Sequence, residues 1–413
     1  MVNGRSKTDT GHGVGAKASI HAKSSHSHAK LDEHEHEPPK IPDVELIVDG
    51  FGFMPKRIKR HHDSANNVFD KAAKDDLSSE EEEAEEEEES DGIGAASTSN
   101  INIVRRYTWR TKNRMIVQVI TYGATITSIQ VPNKKGVPDD IVAGFDTLEG
   151  TVNPTISYKN TVNWRSYVTG NKVIMSHVSS RFHEGYPGTV MAQISFEATC
   201  DNTLKIEMKC TASEPTIINL SNSPYFNLAG HHAGKDAMYD HIFTINADKY
   251  TVMDESGYVT GEKKLVGGTA LDFRVPRILK VMLPKIPLGG YDMNYCVTQG
   301  TEQDVTFHAR VLHPMTGRVL EVYSNQPGLQ FYTGNLLPDP DRIVEVTTKS
   351  KGEEENLSNE SSSVSSGKVS FGYVPLVGKY GAHYKKHGLF CLMPQNYPDA
   401  INHVSIRAVY LTV

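Results

Sequence analysis

Two histidine-containing pairs are candidates for proton transfer in this sequence. His183 precedes Glu184 directly, and His231 and His232 follow Gly230. Imidazole and carboxylate groups act as general acids and bases when they come within hydrogen-bond reach of the proton that moves. An exposed histidine in a turn, without a chemical role, is the alternative for each pair. The sequence favours that alternative for both.

A third charged pair, Asp272 and Arg274, stands in the sequence Leu-Asp-Phe-Arg. Opposite charges this close along the chain predict an ion pair or a turn rather than a catalytic unit.

Metal-binding side chains are frequent near the N-terminus. Imidazole binds transition metals well, but the surrounding residues are mainly Gly, Ser, Lys and Asp, and no periodic pattern fixes a ligand geometry. We therefore expect a solvated, low-complexity segment with no metal and no cofactor. Six histidines fall within 25 residues: His12, His21, His26, His28, His34 and His36.

The four cysteines, Cys200, Cys210, Cys296 and Cys391, have no zinc-type or CxxC spacing. They predict free thiols in a reducing compartment. The sequence also has no run of 18 apolar residues and no signal-peptide core at its start, so we expect no membrane span and a cytoplasmic protein.

Charge divides the chain into two parts. Residues 1–100 hold 12 Lys+Arg and 22 Asp+Glu, a balance of −10, which leaves +3 for residues 101–413. A nearly neutral body gives no electrostatic reason for the folded domain to bind nucleic acid. The N-terminal part is predicted to be a disordered arm, because its acidic tract at 80–91 repels itself and stays extended.

Residues 44–62 of this arm combine an apolar stretch, 44–54, with a basic cluster, 55–62. Together with the acidic tract they predict a protein-interaction arm. The basic cluster also has the composition of a nuclear-localisation signal, which makes the nucleus a second possible location.

Residues 101–413 are predicted to form one large antiparallel β-sandwich, an all-β domain. Short segments rich in β-branched and aromatic residues recur, separated by Gly, Pro, Asn and Asp. Residues 345–368 differ from these segments in composition, because they are rich in Ser and Glu. They are predicted to be a disordered surface insertion. The strand segments begin near Ile101, Met115, Thr125, Val173, Ala192, Leu204, Thr216, His241, Thr306, Val319 and Gly388.

A series of motifs in residues 101–402 resembles, in the same order, those of the galactose mutarotase (aldose 1-epimerase) family. This resemblance implies a mutarotase-like supersandwich and a hexose as ligand. The motifs are Tyr122–Ser128, Ile141–Asp146, Glu184–Gly188, Asn219–Gly230, Gly268–Arg274, Gly290–Cys296, Gln326–Asn335 and Phe390–Asn402.

The resemblance also implies where catalysis would take place. Mutarotation opens and recloses a hexose ring, which requires a base for the anomeric hydroxyl and an acid for the ring oxygen. In the family a histidine is the acid and a glutamate the base, but the matching positions here hold Ser223 and Met393. Methionine accepts no proton and serine is a poor acid, so we expect most of the catalysis to be lost.

Two residues that bind sugar hydroxyls in the family are retained, as Asp292 and Gln330. They are candidates for sugar binding, although a buried polar network satisfied by backbone groups would explain them equally well. The 33 residues between Gly150 and Glu184 are about half the family's length, and we expect one wall of the sugar pocket to be missing.

The family usually carries one more strand after the segment that ends at Asn402. Eleven residues follow Asn402 here, so we expect this strand to be supplied differently or the sandwich edge to be open to a partner strand. The preferred hypothesis is an inactive aldose 1-epimerase-like protein that binds carbohydrate or protein. The alternative is an active aldose 1-epimerase with substituted catalytic groups.

Overall fold

The computed structural model describes residues 15–22, 43–54, 103–151, 162–286, 289–300, 305–341, 344–347, 369–372, 375–403 and 410–411. The basic cluster from residue 55 onward, the acidic tract at 80–91 and most of the predicted insertion at 345–368 lie outside these residues, as do five of the six N-terminal histidines. Within the described residues, no helix is long and apolar enough to cross a membrane.

The described parts of the chain consist mainly of strands. Three short α-helices interrupt them: α1 (Leu148–Thr151), α2 (Gly234–Tyr239) and α3 (Leu279–Met282). The strands are β1 (Gly15–Ala22), β2 (Val44–Phe53), β3 (Ile103–Thr111), β4 (Ile116–Ile120), β5 (Thr125–Pro132), β6 (Pro138–Asp140), β7 (Arg165–Thr169), β8 (Lys172–Ser179), β9 (Val190–Ala198), β10 (Thr203–Ala212), β11 (Thr216–Ile217), β12 (Ile242–Ile245), β13 (Ala247–Met253), β14 (Val259–Leu265), β15 (Arg277–Ile278), β16 (Asp292–Val297), β17 (Thr306–His313), β18 (Arg318–Ser324), β19 (Gly328–Tyr332), β20 (Val344–Thr347), β21 (Val369–Gly372), β22 (Leu376–Val377), β23 (His383–Tyr384), β24 (Cys391–Gln395) and β25 (Tyr410–Leu411).

Three large sheets form the body of the fold. The largest has the order β15-β12-β17-β18-β1-β10-β9-β8-β7, and two five-stranded sheets have the orders β2-β3-β4-β5-β6 and β14-β13-β16-β19-β24. Each strand pairs antiparallel with its neighbours, for example β9 with β10 and β16 with β19. The prediction of an all-β antiparallel sandwich is therefore confirmed.

One hydrophobic core joins the three sheets. It includes Trp109 from β3, Phe196 from β9 and Phe331 from β19, and each of these side chains is fully buried. Burying one such side chain contributes roughly 1.5–3 kcal/mol relative to leaving it exposed. Because successive side chains of a strand point to opposite faces, each sheet has an apolar face. These apolar faces hold the sheets together.

The folded body begins before residue 101, which corrects the predicted domain boundary. Strand β2, from the supposed arm, pairs with β3 from Val44 opposite Thr111 to Phe53 opposite Ile103. Phe51 and Met54 pack against a small buried cluster that contains Leu148. The apolar half of the predicted partner-binding segment 44–62 is thus part of the fold.

This pairing also changes the place of the charged segments. Because β2 and β3 are neighbours in one sheet, residues 55–102 connect two adjacent strands. The basic cluster and the acidic tract therefore belong to this connection and not to a free N-terminal arm.

Strand β1 lies in the middle of the largest sheet. Seven of its residues pair with β10, from Gly15 opposite Lys209 to His21 opposite Thr203. Five pair with β18, from Ala18 opposite Ser324 to Ala22 opposite Leu320. An N-terminal segment therefore supplies a central strand, one that the sequence analysis assigned to the arm.

The first residues of the predicted insertion at 345–368 lie in a β-strand. Strands β20 and β21 pair from Val344 opposite Gly372 to Thr347 opposite Val369. Glu345, Val346 and Thr347 are thus strand residues, and the Ser- and Glu-rich segment between the two strands begins at residue 348.

A buried ion pair joins the C-terminal part of the chain to the β2–β6 sheet. Nζ of Lys379 donates to Oδ2 of Asp140 at 2.6 Å and to the carbonyl oxygens of Thr127 and Val142 at 2.6 and 2.9 Å. Burial lowers the pKa of Lys379, whereas the Asp140 carboxylate raises it. Each charge is buried, so each depends on the other for compensation.

Replacing Lys379 with methionine should lower the free energy of unfolding by about 3–5 kcal/mol, because Asp140 would keep a buried, uncompensated charge. Urea denaturation followed by circular dichroism measures this change. The control is Lys386→Met, since Lys386 forms a partly exposed ion pair with Asp339 and should cost less than about 1 kcal/mol. Equal losses for the two variants would contradict the role given to Lys379.

Candidate functional site

Strands β16, β19 and β24 place the retained sugar-binding candidates on one face of a sheet. Asp292 is opposite Tyr332, and Gln330 is opposite both Asn294 and Met393. Residues that are directly opposite in antiparallel strands project to the same side, as does every second residue along a strand. We call this side the Asp292 face, and its residues are Asp292, Asn294, Gln330, Tyr332, Cys391 and Met393.

The opposite side of the same strands belongs to the core. Tyr295, Phe331 and Leu392 project to it, and all three are buried. A slip of one residue in any of these strands would exchange the two sides. The core therefore fixes which residues the Asp292 face presents.

Asp292 and Gln330 contact each other directly. Nε2 of Gln330 donates to Oδ1 of Asp292 at 2.7 Å. Loss of solvation raises the pKa of Asp292, and the hydrogen bond from Gln330 opposes this rise. Asp292 remains exposed to solvent even so, which leaves its carboxylate accessible to a ligand.

Three buried amide atoms beside this contact have no hydrogen-bond partner among the described residues. They are Oε1 of Gln330 and both polar side-chain atoms of Asn294. Gly328 gives the Asn294 amide its space, because a Cβ at residue 328 would lie 2.7 Å from Oδ1 of Asn294. Carboxylate and amide groups that face one way suit a ligand rich in hydroxyl groups.

Two tyrosines lie next to Asp292 and were not singled out from the sequence, although both stand in the quoted motifs. The rings of Tyr225 and Tyr332 are 6.2 Å apart and edge to face. Burial raises the pKa of both phenols, and Asp292 adds to the rise. The buried thiol of Cys391 also has a raised pKa. These groups are neutral at pH 7.

The positions of the expected acid and base hold side chains that do not titrate near neutral pH. Met393 is half-buried in β24 and stands opposite Gln330. Ser223 is exposed. Its segment runs along β24, because Oγ of Ser221 donates to the Pro394 carbonyl at 3.0 Å and residues 226 and 390 pair through their backbones. Met393 has no basic group, and the Ser223 hydroxyl is both a weak base and a weak acid.

The histidines considered above lie elsewhere. His183 and His232 are exposed, as expected, but His231 is buried, so the prediction of an exposed turn was wrong for it. Nδ1 of His231 lies 3.0 Å from the Tyr384 hydroxyl. Burial and then Lys379 lower its pKa to about 4. Its contacts belong to the region of the Lys379–Asp140 pair.

Asp272 and Arg274 form the predicted ion pair. Nη2 and Nε of Arg274 donate to the two carboxylate oxygens of Asp272 at 2.8 and 2.9 Å. Arg274 also lies 3.4 Å from Asp248. The pair is therefore structural, as the sequence predicted. Among the residues that the structure describes, no group of three His, Cys, Asp or Glu side chains is placed to hold a metal ion.

Asp292 is exposed, whereas Asn294, Tyr332 and Cys391 on the same face are buried. Two cavities, of about 30 and about 490 Å³, are lined by other residues, and none of Asp292, Gln330, Ser223 and Met393 lines either of them. Ten of the residues between α1 and β7 that correspond to the shortened segment, 152–161, lie outside the described residues. The next described residues contact the β2–β6 sheet, because Asn163 forms an isolated antiparallel β-bridge with Tyr122, between β4 and β5.

Comparisons with known proteins agree with the motifs. A family model described as aldose 1-epimerase matches residues 158–412. The galactose mutarotase of Bos taurus is 34% identical over 340 residues, which are 72% of this chain and 87% of the bovine protein. The galactose mutarotase of Homo sapiens is 33% identical over 336 residues, with 71% and 86% covered.

Solved structures give the same fold. The GalM/aldose epimerase homologue from C. elegans has a TM-score of 0.58 at 20% identity, and the match covers 73% of this chain and 92% of that one. Galactose 1-epimerase from Lactobacillus acidophilus NCFM has a TM-score of 0.52 at 16% identity, with 71% and 86% covered. At these identities the likeness concerns the fold alone.

His231 should titrate near pH 4, below the ordinary value of about 6.5 for histidine, because burial and the Lys379 ammonium disfavour the imidazolium. Its ring signals in ¹H–¹³C spectra, assigned with a His231→Asn variant, should not move between pH 8 and pH 6. The unfolded chain binds this proton below about pH 6.5 and the folded chain does not, so stability should fall as the pH is lowered from there toward 4. A midpoint at or above pH 6.5 would contradict this and make His231 available for acid–base chemistry.

Proposed function

Since the chain belongs to the aldose 1-epimerase family, we propose that it binds a hexose on the Asp292 face and does not interconvert the anomers efficiently. The observation that carries the proposal is the pairing of Gln330 with Met393, which stand directly opposite each other on the neighbouring strands β19 and β24. A binding amide and an apolar side chain stand side by side where the family's reaction needs a binding group and a base.

The chemistry of the reaction explains why these residues disfavour catalysis. Ring opening needs a proton taken from the anomeric hydroxyl and another given to the ring oxygen, and positioned groups each contribute typically 10²–10⁴-fold. The thioether of Met393 cannot take the first proton. The Ser223 hydroxyl, exposed to water, is a weak source of the second.

The binding part of the proposal rests on the polar groups of the face. The exposed carboxylate of Asp292 accepts hydrogen bonds from sugar hydroxyls, and the hydrogen bond from Gln330 holds that carboxylate in place. The rings of Tyr225 and Tyr332 lie beside them and offer apolar surface to the carbon skeleton of the sugar. This set suits a neutral polyhydroxylated ligand.

One observation favours the alternative, an active aldose 1-epimerase with substituted groups. Asp292 has a raised pKa, and Tyr225 is close enough for the two groups to influence each other. A carboxylate and a phenol are a possible base and acid. In that case Asp292→Asn and Tyr225→Phe would each abolish anomer exchange, and exchange by the unmodified protein would be well above the rate in buffer.

A protein partner remains part of the proposal for the residues outside the described fold. The basic cluster at 55–62 and the acidic tract at 80–91 join two adjacent strands, and their opposite charges suit contact with a charged protein surface. We propose a cytoplasmic location for the protein, with the nucleus as the second compartment. Deletion of residues 56–91 followed by imaging in cells tests both points.

The rate of anomer exchange should equal the rate in buffer. NMR exchange spectroscopy on galactose and on glucose measures it. The double variant Ser223→His/Met393→Glu should accelerate exchange, because it restores an acid and a base worth roughly 10²–10⁴-fold each. Its control is Ser223→Asn/Met393→Gln, which adds polar groups of similar size that do not titrate. If the unmodified protein accelerates anomer exchange, the proposal that it is catalytically inactive is wrong.

Galactose affinity should fall about 10- to 100-fold in Asp292→Asn, because a hydrogen bond to a charged group is worth about 1.5–3 kcal/mol. Ligand-observed NMR titration measures this. Asp272→Asn is the matched control, because it removes a carboxylate that lies in an exposed ion pair with Arg274. If Asp292→Asn and Asp272→Asn bind galactose equally well, the Asp292 face is not the sugar site.

A further inference from the structure

The cavity of about 490 Å³ lies apart from the Asp292 face. It is bordered by helix α2, by the 3₁₀ turn Leu283–Lys285, by residues 339–341 and by residues 385–387. Its size falls within the range of about 300–1,000 Å³ that small-molecule sites occupy. None of the residues that line it belongs to the face on which a hexose is proposed to bind.

Three lysines and two aspartates line this cavity. Lys235, Lys385 and Lys386 line it together with Asp339 and Asp341. Lys386 and Asp339 form an ion pair at 3.1 Å and largely neutralise each other. Two lysines then face the single remaining carboxylate, so the cavity has an excess of positive charge.

The buried imidazole of His387 lies at the same place and responds to this charge. Nδ1 of His387 is 3.0 Å from the carbonyl oxygen of Thr333, which fixes the ring. Burial lowers the pKa of His387, and Lys386 and Lys235 lower it further. His387 thus lies in the positive potential of Lys386 and Lys235, and a bound anion would lower that potential.

The remaining lining is apolar and leaves room for more than a small ion. Leu283, Pro284 and Ile286 form part of it, together with the ring of Tyr239. Nζ of Lys235 lies 5.7 Å from the centre of that ring. An aromatic surface with an adjacent ammonium suits a ligand that carries a ring next to a negative group.

We propose that this cavity binds a phosphate monoester of a ring-bearing small molecule. The phosphate group lies between Lys235 and Lys385, and the ring packs on Tyr239, Leu283 and Ile286. Lysine ammonium groups are compact point charges that bind phosphate oxygens well. The proposal is independent of sugar binding at Asp292.

Calorimetric titration of the full chain with phenyl phosphate tests the proposal, with inorganic phosphate and phenol as the two halves of the probe. Phenyl phosphate should bind at least about ten-fold more tightly than either half, and the ring signals of His387 should shift on binding. The double variant Lys235→Ala/Lys385→Ala should lower the affinity at least about ten-fold, since it removes two charge-assisted contacts. Added salt should also weaken binding.

The matched control is Lys205→Ala/Lys209→Ala, which removes two exposed lysines from the nine-stranded sheet and changes the net charge by the same amount. It should leave the affinity for phenyl phosphate unchanged, as should Asp292→Asn. Equal losses in the two lysine double variants would overturn the proposal. So would inorganic phosphate binding as tightly as the ester, or phenol binding as tightly as phenyl phosphate.

Discussion

The register of β16, β19 and β24 determines both the core and the candidate site. Phe331 and Leu392 project into the core, whereas Gln330 and Met393, their neighbours along the same strands, project to the Asp292 face. Burial of the aromatic and aliphatic side holds this register, because a one-residue slip would expose it. Changes on the other side therefore cost the fold little. A methionine can therefore occupy the position that matches the family's base while Asp292 and Gln330 keep their places in the sheet.

The same alternation explains what the sequence could reveal. Asp292 and Gln330 are 38 residues apart, yet their motifs gave both as candidates. The Lys379–Asp140 pair spans 239 residues and had no local signal, because antiparallel pairing of distant segments decides which charges meet. The proximity of Tyr225 to Tyr332 was hidden for the same reason.

The N-terminal region shows a second limit. The apolar stretch at 44–54 is too short to bury itself, and its partner strand β3 begins 50 residues after β2 ends at Phe53. Because this stretch cannot form a core of its own and its partner strand is distant in the chain, the sequence alone assigns it to an arm. The sequence signal for strand β1 is weaker still, since Gly15–Ala22 has Lys, Ser and His among small residues. Its place is set by the gap between β10 and β18, whose backbone groups need a partner.

The sequence left two explanations for Asp292 and Gln330, a sugar site and a satisfied polar network. The network explanation predicts that the buried polar atoms are paired. Oε1 of Gln330 and the amide atoms of Asn294 have no protein partner among the described residues, and such atoms cost about 1–3 kcal/mol each when nothing pairs with them. A purely structural cluster would be more stable with apolar side chains in these positions. Asp292 beside them is exposed, and its carboxylate can accept hydrogen bonds beyond the one from Gln330, which is why the geometry favours a binding role over a structural one.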